Sequence, residues 1–383
     1  MYIKSSKDNG KDKPSRNDVV FIDFKGDEDV RQLYQVINEF TELYGIDEED
    51  TEKLTLVKDG EKVLKPKDIK KTLDEYVIGQ ENVKKVLAVA VYNHYKRINN
   101  KSDINLKKSN IMLIGPTGSG KTLFAQTIAK TLELPLAIVD ATSITEAGYV
   151  GDDVEICLER LYASAHGDLK LVEKGIVFVD EVDKLRAGRN LSNKKDVSGE
   201  GVQQALLKLI EGSEAVIKNP EGKKVKIDTS NILFILGGAF AGIESYVEER
   251  KEPEANGIGF SATVTNPEKK RKPRMRDVTV TDLKDFGMIP ELLGRVPNIA
   301  KLEALSVKDL RRILTEPKDS IVSHYEELFK LDGSTIEFTK KTLNKVAKQA
   351  LKENTGARGL QAILEKELMD LMFEAEADQT YII

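Results

Sequence analysis

Gly115-Pro116-Thr117-Gly118-Ser119-Gly120-Lys121-Thr122 decides how this chain is read. The spacing is Gly-x4-Gly-Lys-Thr, that of a phosphate-binding loop. An apolar run, Asn110-Ile111-Met112-Leu113-Ile114, leads into it, and Leu123-Phe124-Ala125-Gln126-Thr127-Ile128-Ala129 leaves it with helical period. Strand, glycine-rich turn and helix are the context this motif requires. Glycines let the backbone fold tightly enough for successive N–H groups to face phosphate oxygens. The positive end of the following helix adds to that field. The motif assigns Lys121 to the β- and γ-phosphates and the Thr122 hydroxyl to Mg²⁺. Gly115, Pro116, Thr117, Gly118, Ser119, Gly120, Lys121, Thr122 and Leu123 are the candidate nucleotide-binding residues.

A second stretch gives the nucleotide something to do. Ile176-Val177-Phe178-Val179-Asp180-Glu181 is wholly apolar until it ends in two carboxylates. Such a run suits a central parallel strand buried on both faces. Acids at its C-terminal end lie where ligands collect in open α/β sheets. Asp180 is the candidate Mg²⁺ partner, and Glu181 the candidate general base for an attacking water. Leu136-Ala137-Ile138-Val139-Asp140 and Ile232-Leu233-Phe234-Ile235-Leu236 read as further strands. Upstream, Tyr76, Val77 and Ile78 read either as ordinary core or as a wall for the base. Tyr149 sits between Gly148 and Gly151 in Gly-Tyr-Val-Gly, and reads equally as a presented side chain or as a tyrosine buried at a turn.

Composition narrows the class. The chain has 383 residues, 40% hydrophobic and 32% charged, with a net charge of −5. That balance gives no global argument for nucleic acid or for an anionic membrane. The run Lys269-Lys270-Arg271-Lys272 has no interleaved aromatics and reads as a solvated loop. No apolar run approaches the ~18 residues of a membrane span, and the polar leader is neither a secretory signal nor a transit peptide. One cysteine, Cys157, excludes an internal disulfide and a cysteine-based zinc site. The expectation is a cytoplasmic protein.

The organisation expected is a leader and small segment over 1–65, an α/β block over 66–300 and a smaller, mainly helical domain over 301–383. The first part holds a polar leader, a short strand at 19–24 and a helix at 29–44. The charged run 58–71 reads as a solvated linker, and 81–97 as a long helix. Residues 189–201 read as a polar loop before a helix at 202–210. The tail reads as helices at 307–315, 318–331, 339–352 and 359–375, closed by a short strand at 381–383.

These stretches together resemble the ClpX family of AAA+ unfoldases. The resemblance covers about residues 66–380. It rests on Tyr76-Val77-Ile78-Gly79-Gln80, the phosphate loop, Glu146-Ala147-Gly148-Tyr149-Val150-Gly151 and the Asp180-Glu181 strand end. Downstream it rests on 196–208, Ile258-Gly259-Phe260, Gly294-Arg295 and Gly356-Ala357-Arg358-Gly359. The related HslU has a large insertion between its pore loop and acidic strand that this chain lacks. The resemblance implies a P-loop α/β sheet flanked by helices, ATP with Mg²⁺, and a hexameric ring that threads unfolded or tagged proteins into the ClpP peptidase. It makes Arg295 an arginine finger, Arg358 a second phosphate sensor, and Tyr149 with Val150 the pore-loop grip. It makes Ile258, Gly259 and Phe260 the peptidase-docking loop.

Two departures accompany it. Residues 1–65 have no cysteine and so cannot form the zinc-binding domain with which the family usually begins. The basic Arg-Lys-His loop of the family is replaced by a short connection through Asn219-Pro220-Glu221-Gly222-Lys223-Lys224. Other readings are a remodelling chaperone that works without a peptidase and, with less support, a nucleic-acid motor or initiator.

Overall fold

A computed structural model describes residues 64–98, 106–144, 153–186, 197–251, 274–374 and 376–383, together with two short N-terminal strands. The chain divides into two compact units, Met1–Leu64 and Lys65–Ile383. In the first, β1 (Ile3–Lys4) pairs antiparallel with β2 (Phe21–Ile22), Ile3 lying opposite Ile22. The helix expected at 29–44 lies outside the described residues. So do Tyr149 and Val150, and Ile258, Gly259 and Phe260.

The second unit opens with α1 (Pro66–Tyr76) and α2 (Glu81–Ile98). Pro66 takes the first helical position, where its missing N–H costs nothing. The charged run read as a linker is therefore helical from Pro66 onward, anchored by buried Ile69 and Leu73 one turn apart. Next come β3 (Ile111–Ile114), α3 (Lys121–Leu132), β4 (Leu136–Asp140), α4 (Ile156–Ser164), α5 (Leu169–Val172) and β5 (Ile176–Asp180). They are followed by α6 (Val197–Glu211), β6 (Glu214–Lys218), β7 (Lys224–Asp228), β8 (Leu233–Gly238) and α7 (Ile243–Lys251). Helices α8 (Val280–Phe286) and α9 (Pro290–Arg295) lead to β9 (Asn298–Lys301).

The sheet has five strands in the order β4-β5-β8-β3-β9, each pair parallel. Parallel strands need crossovers, and the crossover helices cover both faces. Hence β3 and β8 are buried at every position, and β5 at all but its terminal Asp180. The first turn of α6 takes in residues 197–201, which had read as loop because of their glycine and serine content.

The connection between α6 and β8 is a hairpin, with Asn219-Pro220-Glu221-Gly222 at the turn between β6 and β7. Ala215, Ile217 and Ile227 turn into the main core, while Val216 and Lys218 on β6 and Lys224 and Lys226 on β7 face out. The tail follows as α10 (Val307–Thr315), α11 (Ile321–Leu331), β10 (Thr335–Glu337), α12 (Lys340–Lys352), α13 (Arg358–Glu374) and β11 (Thr380–Ile382). Strand β11 runs parallel to β10. This region has its own core, with Leu310, Leu314, Phe329, Val346, Leu360 and Leu364 among its buried members. The fold is a parallel α/β sheet flanked by helices, with a helical C-terminal region.

Candidate nucleotide site

The phosphate loop joins the end of β3 to the start of α3. Lys121 is 8% exposed, and its Nζ donates to the carbonyls of Gly115 at 2.7 Å and Pro116 at 3.1 Å. Burial holds the ammonium below its ordinary pKa, opposed by the nearby carboxylates of Asp180 and Asp183. The Thr122 hydroxyl donates to Asp180 Oδ2 at 3.1 Å, joining the first turn of α3 to the end of β5. Asp180 Oδ1 accepts the Glu181 backbone N–H at 3.0 Å. Glu181 is exposed and takes a left-handed backbone, φ 58°, as the chain turns out of the strand. Such strain in a non-glycine residue is held by its surroundings and gathers at functional turns. The turn is fixed by Asp183, which is 4% exposed and accepts the Ala239 N–H at 3.0 Å.

A magnesium nucleotide fits this donor set. Ser119 Oγ is buried with no hydrogen-bond partner among the described residues, inside a loop that already carries a cation. An anionic oxygen satisfies such a donor. Thr122 and Asp180 together supply the oxygen ligands that Mg²⁺ prefers. A cleft of about 540 Å³ opens beside Pro116 and Thr117 and is also lined by Ala239, Arg274 and Glu303.

The loop is hemmed in from outside. A side chain at Gly115 would meet Leu302 at 2.7 Å, because the connector leaving β9 continues the ladder, Leu302 N–H to Ile114 O at 2.7 Å. A side chain at Gly118, φ 75°, would meet the Thr355 carbonyl at 2.7 Å. Gly118 O instead accepts the Ala357 N–H at 3.2 Å. Arg358, next in the chain, sets its guanidinium 4.0 Å from Asp180 Oδ2. Gln80 holds the connector from the other side. Its amide donates to Glu303 O at 2.7 Å and accepts from Glu303 N at 3.0 Å, as a strand partner would. Val77 and Ile78 are buried beside it. Tyr76 faces elsewhere, under the ammonium groups of Lys130 at 4.8 Å and Lys318 at 6.0 Å.

Arg295 lies at the opposite end of the sheet. It ends α9, and its carbonyl accepts from Asn110 Nδ2 at 3.0 Å, at the entry to β3 rather than at its exit. The side chain is 56% exposed, and its Nε donates to Glu211 Oε1 at 2.8 Å.

Family models agree with this layout. An AAA domain (Cdc48 subfamily) matches residues 106–299, and the C-terminal D2-small domain of ClpB protein matches 305–381. The ATP-dependent Clp protease ATP-binding subunit ClpX of Treponema denticola is 51% identical over 321 residues, 81% of this chain and 77% of that protein. The chain belongs to the ClpX family. Within a ClpX-family framework, the residues the motifs did not single out are those that hold the framework still. Gln203, fully buried, donates to Leu185 O at 2.7 Å and Gly287 O at 3.2 Å and accepts from Ile289 N at 2.9 Å. It ties the turn after Glu181 to the start of α9. A lone polar residue on the apolar face of α6 was the available signal. Glu211 gave none, since its partner is 84 residues away.

Proposed function

We propose that this chain is one subunit of a hexameric cytoplasmic ring. It hydrolyses ATP to unfold proteins and passes them to a ClpP peptidase. The ATPase and unfoldase reading follows from membership of the ClpX family; the roles at the nucleotide site are supported by geometry, and those of Tyr149, Val150, Ile258, Gly259 and Phe260 by the resemblance alone. Lys121, Ser119 and the backbone of Gly115–Thr122 bind the phosphates. Thr122 and Asp180 hold Mg²⁺, which when bound neutralises phosphate charge. Glu181, at the strand end, accepts a proton from the attacking water. Val77 and Ile78 bound the base, and Tyr76 closes the outer side of the same segment. Arg358 reports phosphate occupancy to the helical region through the Ala357–Gly118 contact. Tyr149 and Val150 grip the polypeptide, and Ile258, Gly259 and Phe260 dock on the peptidase.

The observation that carries this reading is the placement of Arg295. A four-residue strand separates it from its own phosphate loop, roughly 13 Å of rise. Its guanidinium is exposed and points to no phosphate of its own chain, so its ligand belongs to a neighbour. Subunits with Lys121→Ala bind no nucleotide but present Arg295; subunits with Arg295→Ala do the reverse. Each alone should be nearly inactive, and mixing them should restore part of the ATPase. Mixtures as inactive as their components would return Arg295 to a structural role. ATP-dependent degradation of an unfolded protein by ClpP, present with the wild-type chain and lost with Tyr149→Ala, tests the threading half.

A further inference from the structure

The arginine finger does not stand free. Its carbonyl and its side chain are held by different elements, and among the described residues these two restraints leave one edge of the guanidinium open. The Arg295 carbonyl is held by Asn110, itself 1% exposed and bonded three ways: Nδ2 donates to Arg295 O, Oδ1 accepts from Phe234 N at 3.3 Å, and its backbone carbonyl accepts from Asn298 Nδ2 at 3.2 Å. This fixes the end of α9 to both β3 and β8. Among the described residues the side chain is held through Nε alone, by Glu211 Oε1 at 2.8 Å, from the last residue of α6.

The choice of nitrogen matters. A guanidinium has five N–H donors in a rigid plane, and its terminal Nη1–Nη2 edge makes the paired bonds that match phosphate oxygens. A carboxylate on Nε occupies the side of the fork and leaves that edge unspent. It also removes rotations of a long side chain that would otherwise be lost on engagement. At 56% and 41% exposure the two groups contribute little to folding as an ion pair. The pair is better suited to orientation than to stability.

We propose that Glu211 is the positioning residue of the shared site. It holds Arg295 by Nε so that Nη1 and Nη2 face the nucleotide of the adjoining subunit. The proposal rests on the reading of Arg295 as a finger acting in trans.

The test compares Glu211→Ala, Glu211→Gln and Arg295→Ala in assembled rings by steady-state ATPase, affinity for a fluorescent ADP analogue and thermal melting. Misplacing a catalytic group by about an ångström is enough to lower turnover by roughly 10–100-fold. Glu211→Ala should lower kcat on that scale with KM, ADP affinity and Tm nearly unchanged. Glu211→Gln keeps an oxygen at the same reach and should recover most of the rate. In the Arg295→Ala background, Glu211→Ala should cost nothing further. An unchanged kcat in Glu211→Ala, or a loss of the same size when Arg295 is already absent, overturns the positioning role. A fall in Tm and ADP affinity alongside kcat overturns it too, in favour of a structural role. If Arg295→Ala retains full activity, the finger reading fails first, and that outcome is separable because it needs no Glu211 variant.

Discussion

The two ends of the central sheet are built to different standards of closure. At the exit of the strands, Lys121, Ser119 and Asp183 are buried, and the loop is boxed in by Leu302 and Thr355. At the entry, Arg295 and Glu211 are exposed and joined by one hydrogen bond. The first end is an enclosed pocket. The second is, on the proposed reading, half of a shared site, fixed in its backbone and open in its side chain. The contrast matches the proposed division of work: an enclosed pocket for the chain's own nucleotide, and an exposed cation kept available to another subunit.

The largest expected effect breaks the exit end without touching the entry. Glu181→Gln should lower ATP turnover by about 10²–10⁴-fold while nucleotide binding and ring assembly persist. Near-normal turnover in a coupled ATPase assay would show that the base lies elsewhere. A smaller effect comes from filling the space at Gly118. Valine there would combine the Thr355 clash with a left-handed backbone, at about 1–3 kcal/mol of strain. ATP affinity should fall roughly 10–100-fold, and titration calorimetry reads it directly. Unchanged affinity would mean that the helical region does not press on the loop in solution.

Gln203 lies between the two ends. Gln203→Leu leaves the Leu185 and Gly287 carbonyls and the Ile289 N–H without their partner. Unfolding in urea should show a loss of about 1–3 kcal/mol. A neutral substitution would place the joint between the Glu181 turn and α9 in the surrounding apolar packing instead.

A last effect concerns the entry end and is a slope. His94, fully buried, pairs through Nε2 with Asn231 O at 3.0 Å. Burial lowers its pKa from 6.5 to about 3, against the Asn231 bond and with Arg97 and Lys108 adding to the fall. The unfolded chain therefore takes up a proton below pH 6.5 that the folded chain refuses until about pH 3. Stability from this group is complete above pH 6.5 and falls as pH drops through that window, by up to about 1.4 kcal/mol per unit. His94→Gln keeps a donor for Asn231 and does not titrate. Its Tm should decline less between pH 7 and 5 than that of wild type, and equal declines would show that water reaches the ring.

The exit end was far more legible in the sequence than the entry. β3, β5 and β8 announce themselves as apolar runs because both faces are covered, and the phosphate loop is local, its roles set by spacing. The segment at 58–71 was misread because lysines mask Ile69 and Leu73, although Pro66 is a helix-start residue. The β6–β7 hairpin went unread because only alternate positions are buried, with exposed Val216 and charged residues at the others. The pairings of Glu211 with Arg295 and of Gln203 with Ile289 could not be read: each joins residues more than 80 positions apart, so that even where one member lies in a recognisable stretch nothing local names its partner.

Gly118 has one more consequence. The room vacated by its missing side chain is taken by the backbone of residues 355–357, sealed by the Ala357–Gly118 bond. The loop that cradles the phosphates is thus also the seat on which the helical region rests, like the fixed half of a bearing. The helical region cannot turn on that seat without breaking the bond or dragging the loop. Any ligand that reshapes the loop therefore acts on the joint at zero distance, with no intervening side chain to absorb the movement.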